Sequence, residues 1–465
     1  MSEHGRERSM SSVSPDGPKP GTAVRVIASR IGTRLAGLVL ASASFCTYAG
    51  DDLLSLYGVA RVNNPVLRQS LANYQAVQER WPQALAGLLP NISVQASRER
   101  VHLDQTTSFA SVDTYFFNTQ YSIDLTQPIF DYSAYQRLDQ ADAQIAQAAA
   151  QVHAAEQDLM FRLAQRYFDV LAGRADLSFA RSDLKAIERQ LEQAGQRFEV
   201  GLIAHTAVEE ARARRDLAAS RLIQAENEVA NRLEAVRQVI GKQPQSLADL
   251  VRKPKLKGPQ PAEEGRWQAA AIEQNWQLIA ARKGAEAAME NIQVQRGGHL
   301  PTIGLTANAT HQDTGGVFGG TSDRQSIGVR GELPIFQGFA VSSRVSEAQA
   351  RYTQSREQLE ETRRRVGRET SNAYRAVQTS IRQVQALQQA VVSNRSALKA
   401  TQAGYEAGTR TIVDVLDAQS NLFSAERDYQ QAQYAYLVST LRLKQTAGTL
   451  DPQDLTAVNS LLGSR

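Results

Sequence analysis

Two aspartates, Asp414 and Asp417, stand three residues apart among Val413, Val415 and Leu416 in the stretch YEAGTRTIVDVLDAQ (405–419). Residues at i and i+3 share a helix face, so both carboxylates would project from one side. Asp414 has a structural use. Gly408 can end an incoming helix by taking positive φ. Thr411 can then cap the next helix, with Asp414 closing a capping box, and the helix dipole favours an acid in that turn. Asp417 lies past the first turn, where capping does not account for it. Around a threefold axis the two acids would form two stacked rings of three carboxylates. Acid rings select or bind cations in pores, and acids packed near an axis raise one another's pKa.

Little else in the chain could do chemistry. Its six histidines are scattered, without an i, i+4 pair or an HExxH motif. The run GGVFGG (315–320) lies between two strand patterns rather than before a helix, and it lacks the Lys and Ser/Thr of a phosphate loop. It reads as an external loop. No catalytic residue, metal or cofactor is expected, and no enzymatic activity. Aromatic residues are only 6% of the 465, and Ala and Gln are abundant. That balance suits long helices with narrow apolar seams better than one thick core. The net charge of +4 sits mostly ahead of Gly50, where six Lys/Arg face three acids. The rest is nearly neutral, so no nucleic acid partner is expected.

The first 49 residues read as a secretory signal peptide. Arg25, Arg30 and Arg34 precede the apolar run LAGLVLASA (35–43), and Thr47 and Ala49 put small residues before a cleavage site at Gly50. The tail ahead of Arg25 is long, which makes Met10 an alternative start. The apolar run is too short to span a bilayer, and no later segment approaches 18 consecutive apolar residues. Cys46, the single cysteine, lies inside the leader. Bulky Phe45 before it argues against a lipid anchor, and the mature chain would hold no disulfide or thiolate metal site.

Behind the leader the chain repeats itself. QRFEVGLIAHTAVEEARA (196–213) resembles AGYEAGTRTIVDVLDAQS (403–420), with Gly201 and Gly408 at an offset of 207. LTQPIFD (125–131) resembles GELPIFQ (331–337), LLPNISV (88–94) resembles HLPTIGL (299–305), and VNNPVL (62–67) has its counterpart in EQNWQL (273–278). The expected division is 50–256 for the first repeat, 257–450 for the second and 451–465 for a C-terminal segment, with the Lys/Pro-rich stretch 252–265 as the joint. Leu163, Val170, Leu177, Leu184, Leu191 and Phe198 fall at seven-residue spacing, as do Val377, Val384, Val391, Leu398 and Tyr405. Such spacing holds an apolar seam against a neighbour with left-handed supercoiling. A helix from about 135 to 198 would be roughly 95 Å long at 1.5 Å per residue.

Four segments alternate with period two instead: 92–98, 120–126, 302–310 and 326–333. Each pair flanks a polar or Gly-rich stretch read as a loop, 102–114 and 311–323. One face of each strand is apolar and the other polar, which fits a half-buried soluble sheet or a transmembrane barrel facing lipid and water. Four strands from one chain cannot close a barrel, and open edges are forbidden in lipid. Several chains would have to share one barrel, and a trimer gives twelve strands.

With QRFEVGLIAHT, QPIFD, GHLPT, LPIFQG, YEAGTRTIVDVLDA and the closing AGTLDPQDL, the chain resembles the TolC family of trimeric outer-membrane exit ducts from about residue 51 to 462. The resemblance implies an α+β membrane protein of the bacterial outer membrane. Three chains would share a twelve-stranded barrel in outer-membrane lipid, continuous with a coiled-coil tunnel across the periplasm. The implied partners are a periplasmic adaptor and an inner-membrane ABC or proton-driven transporter, and the implied cargo is proteins by type I secretion, drugs, or both. Pro128 and Pro334 match positions where strand becomes helix, in keeping with proline ending ladder pairing. Asp414 and Asp417 match the narrowest point of the closed end. Tyr405, Arg410, Gln196 and Thr206 match links that hold that end shut. Val200, Gly201 and Leu202, with Ala407, Gly408 and Thr409, match the turns that dock the adaptor, although Ala407 stands where valine is usual. One departure concerns the gate: the family's aspartate after the threonine is here Ala207. Glu209 or Glu210 is the expected substitute acid for Arg410. Two other readings, a periplasmic adaptor and an inert structural coiled coil, fit the duplicated hairpins and four strands less well.

Overall fold

The computed structural model describes residues 51–316 and 319–463. The expected signal peptide, with Cys46, lies outside the described residues. The first half runs α1 (Leu53–Asn63), α2 (Pro65–Gln78), α3 (Arg80–Ala86), β1 (Asn91–Thr106), β2 (Ser111–Phe130), α4 (Tyr132–Glu199), α5 (His205–Ile240) and β3 (Asp249–Leu250). The second runs α6 (Glu264–Gln274), α7 (Trp276–Arg296), β4 (Thr302–Thr314), β5 (Gly320–Glu332), α8 (Ala340–Glu406) and α9 (Ile412–Ala447), then α10 (Pro452–Asn459) and β6 (Leu462–Gly463). α4 has 68 residues and α8 has 67, so each is about 100 Å long at 1.5 Å per residue.

Matching residues build the two halves alike. Asn64 caps α2 by accepting from the Val66 and Leu67 N–H groups, and its amide donates to the Val239 carbonyl at 2.9 Å. Asn275 caps α7 from Gln277 and Leu278 and donates to the Thr446 carbonyl at 2.9 Å. Each buried amide thus satisfies a helix start and ties it to the end of the long hairpin. Gly241 and Gly448 end α5 and α9 at φ of 73° and 80°, where only glycine is unstrained.

The heptad seams are covered unevenly. Leu163, Val170, Val377, Val384, Val236, Tyr436 and Leu443 are buried in one cluster with Leu53 of α1 and Leu455 of α10. The β3–β6 pair lies beside it, and Tyr167 donates there to the Ala248 carbonyl at 2.7 Å. Toward the hairpin tips the same seams open. Leu177, Leu184, Leu191, Val391, Leu398 and Tyr405 are half-buried and Phe198 is exposed. One chain covers its seam at the level of the short helices and leaves it only half-covered toward the tips.

The four long strands form one antiparallel sheet in the order β1-β2-β4-β5. The strands run further than the sequence pattern suggests. The expected loops 102–114 and 311–323 shrink, because β1 runs to Thr106 and β2 starts at Ser111, while β4 runs to Thr314 and β5 starts at Gly320. Their polar residues remain in register because cross-strand pairs such as His102 with Tyr115 and His311 with Asp323 continue the ladder. One face is apolar and open: Ile92, Val94, Ile123, Ile327 and Val329 are all more than half exposed. The opposite face is a polar network. Ser122 donates to Asp124 at 3.0 Å, Asn308 donates to Asp124 at 2.5 Å, and Gln312 and Thr314 each donate to Asn118 at 3.2 Å. Within one chain β1 and β5 are paired on one side only.

Both prolines sit at the strand–helix junctions. Pro128 still pairs with Gly304, a bulge follows it, and Asp131 then caps α4. Pro334 lies two residues past the end of β5 at Glu332. Beyond it Gly338 and Phe339 take φ of 58° and 64° to turn the chain into α8. Ile335, Phe336 and Phe339 are left exposed, with the two rings edge to face at 5.4 Å.

Candidate functional site

The residues singled out by sequence collect at the two hairpin turns. α4 ends at Glu199 with Val200 as its C-cap, Gly201 takes φ 75°, and α5 starts at His205. α8 ends at Glu406 with Ala407 as its C-cap, Gly408 takes φ 76°, and α9 starts at Ile412. An added Cβ would meet nothing at either glycine, so the left-handed backbone alone requires them. Val200 and Leu202 stand 70% and 72% exposed on the first turn. Ala407 and Thr409 are exposed on the second, where Thr409 caps the Gly404 carbonyl at 3.0 Å.

The capping box is present. The Thr411 N–H and hydroxyl each donate to Asp414 Oδ2 at 2.8 Å, and the Asp414 N–H donates to Thr411 Oγ1 at 3.2 Å. The bonds from the Thr411 backbone and then its hydroxyl hold the Asp414 carboxyl below its ordinary value, with a smaller contribution from the Arg410 charge.

Asp417 has a partner that the sequence reading lacked. Arg214 of α5 reaches Asp417 Oδ1 at 2.6 Å. Beneath the pair, Leu416 packs with Ile187 of α4 and Ala218 of α5. Leu416 precedes Asp417, and Ala218 lies one turn beyond Arg214, so this small apolar contact sets the ion pair. A threefold axis is therefore not needed to give Asp417 a role. Arg197 was missed as well. It donates to the Tyr405 hydroxyl and lies over that ring at 4.9 Å. The repeat carried a signal: Arg197 corresponds to Gly404, so the first half places a long cation where the second has no side chain. Arg214 corresponds to Asn421 and gave no such hint beyond its place in the basic run ARARR.

The other expected gate residues are not joined within one chain. Glu209 is taken by Arg212 at 2.9 Å and His205 at 3.7 Å. Among the described residues Glu210 and Arg410 have no ion-pair partner, and the Gln196 and Thr206 side chains are exposed. Arg410 folds back over Gly404, where an added Cβ would come within 2.8 Å of its Cγ. Among the described residues there is no cluster of His, Cys, Asp and Glu fit for a metal and no helix long and apolar enough to cross a membrane.

Comparison with known proteins places this geometry. The family described as Outer membrane efflux protein matches residues 56–242 and 267–449. Outer membrane protein TolC of Escherichia coli is 36% identical over 92% of this chain and 88% of its own length. Alkaline protease secretion protein AprF of Pseudomonas aeruginosa is 26% identical over 87% of this chain and 86% of its own. The CmeC outer membrane channel of Campylobacter jejuni, a solved structure, is 17% identical at a TM-score of 0.77 over 88% of this chain and 89% of that one.

Proposed function

The chain belongs to the outer membrane efflux protein family and is an outer-membrane exit duct, and on that premise we propose that three copies close one twelve-stranded barrel above one helical tunnel gated at the hairpin tips. The open edges of β1 and β5 carry this reading. Their backbone groups need partners in lipid, and an apolar face as large as that of Ile92, Val94, Ile123, Ile327 and Val329 needs cover. Outer-membrane lipid supplies the cover, and the next copy supplies the edge. The half-covered seams of α4 and α8 toward the tips support the same assembly.

In the closed gate, Asp414 and Asp417 line the constriction. Arg214 neutralises Asp417, so the net negative ring is that of Asp414. Arg410 reaches Glu210 of an adjoining copy rather than Glu209, whose carboxylate is already engaged. Val200 and Leu202 make the stronger docking surface for a periplasmic adaptor, and the Ala407–Thr409 turn the weaker one. The adaptor couples the duct to an inner-membrane ABC or proton-driven transporter. Residues 1–49 are removed on export; 50–256 and 257–450 are the two repeats, and 451–465 is a C-terminal segment. The duct performs no catalysis. Proteins are the favoured cargo, since AprF is named for protease secretion.

Heat-stable trimers in detergent, with channel activity in planar bilayers, are the expected result. A monomer without conductance would overturn the reading. For the gate, E210Q should raise single-channel conductance and E209Q should not. Equal effects, or none, would remove Glu210 from the network.

A further inference from the structure

The open face of the sheet changes character toward the β1–β2 hairpin, the end away from α4. The apolar series Ile92, Val94, Ala96 continues in the same alternation as Arg98, Arg100, His102. The Arg98 guanidinium lies 4.4 Å over the Phe117 ring and that of Arg100 lies 4.9 Å over the Tyr115 ring. Both rings and both arginines are exposed. Among the described residues neither arginine has an ion-pair partner. The acids of this face are set apart: Asp113 holds His102 at 2.7 Å and Asp323 on β5 holds His311 at 2.6 Å, Asp104 is nearer the hairpin tip, and Asp313 lies across Thr119 on β4.

A guanidinium lying flat on an aromatic face keeps its in-plane N–H fork free, and that fork matches phosphate bidentately. The position is one step past the apolar band, at the aromatic belt where a barrel meets the lipid headgroups. Arg98 and Arg100 are two residues apart on one strand face, so their stems are about 7 Å apart. Two separated forks suit a headgroup with more than one phosphate better than a phospholipid with one. We propose that Arg98 and Arg100, backed by Phe117 and Tyr115, form a binding site for the sugar-borne phosphates of the outer leaflet's glycolipid. This rests on the barrel reading above, which puts the face against lipid.

The full-length protein is reconstituted in phosphatidylethanolamine vesicles alone, with phosphatidylglycerol, or with bisphosphorylated lipid A, and trimer dissociation is followed by heating. Lipid A should raise the dissociation temperature more than phosphatidylglycerol does. R98Q/R100Q should lose that difference while keeping its trimer and its conductance in plain vesicles, and R98K/R100K should recover only part of it. The site is overturned if R98Q/R100Q responds to lipid A as the wild type does, or if phosphatidylglycerol matches lipid A on the wild type. A failure of the barrel reading would look different: neither protein would give conducting trimers in plain vesicles.

Discussion

The two hairpin turns share a backbone and differ in side chains. Gly201 and Gly408 hold nearly the same φ, 75° and 76°. Around them the repeat has diverged. Thr411 and Asp414 form a complete capping box on α9, whereas their counterparts Ala204 and Ala207 leave the start of α5 without any side-chain cap. The first turn presents Val200 and Leu202 to solvent, and the second presents Ala407 and Thr409. Both copies keep the left-handed turn, which only glycine makes cheaply. The residues around it differ, and the proposed function gives them different tasks, apolar docking on one tip and charge on the other.

The sharpest way to break this comparison is at the glycines. G201V puts a β-branched residue at positive φ, at a cost of roughly 1–2 kcal/mol or more, and adds bulk beside the exposed apolar pair. Export should fall by more than about tenfold, the equivalent of about 1.4 kcal/mol of docking energy, in cells whose trimers still assemble. G408V should lower it less, because its turn offers the weaker surface. Equal export from both variants and the wild type, with trimers intact, would remove docking from these turns. V200A/L202A asks the same question without backbone strain.

Charge gives the next largest effect. In planar bilayers, D414N should weaken block by a trivalent cation on the order of tenfold, since on the proposed trimer it removes an acid ring that no ion pair among the described residues holds. D417N should do less, because Arg214 already offsets that carboxylate. R214Q frees Asp417 and should tighten the block. A D417N effect as large as that of D414N, with R214Q silent, would show that the 2.6 Å pair does not persist in the open lumen.

These expectations show where the sequence was legible. Heptads, period-two strands and the offset of 207 residues led directly to the long helices, the four-strand sheet and the duplicated turns, because each is a local periodic pattern. The capping box at Thr411 could be read for the same reason: all its atoms lie within four residues. Arg214 with Asp417 could not, and Arg197 with Tyr405 left only a faint trace, the place of Arg197 opposite Gly404 in the repeat. Each joins residues more than 200 positions apart through flexible cations, and the Arg214–Asp417 pair is aligned by the packing of Leu416 on Ala218 and Ile187. The strands outran their expected ends because polar cross-strand pairs extend a ladder as well as apolar ones do, while the apolar pattern marks only the part facing lipid.

The smallest effect tests the capping difference itself. T411A should cost about 1 kcal/mol at the start of α9, and A204T/A207D should add about as much at the start of α5. Amide exchange in the first turn of each helix would read both, since turn opening is a local event. The sign with pH follows from Asp414. Its carboxyl is held below the ordinary 3.8, so its capping contribution is present above that value and is lost as pH falls through the lower folded-state value. The protection of α9 should therefore be flat from neutral pH down to about pH 5 and decline only in stronger acid, and the protection installed by A204T/A207D should follow the same course. If the installed cap left exchange at α5 unchanged, the missing Thr and Asp would not be what sets the first helix start apart from the second. The packing of Phe198 against His205, 5.2 Å between rings across that turn, would then be the feature to alter.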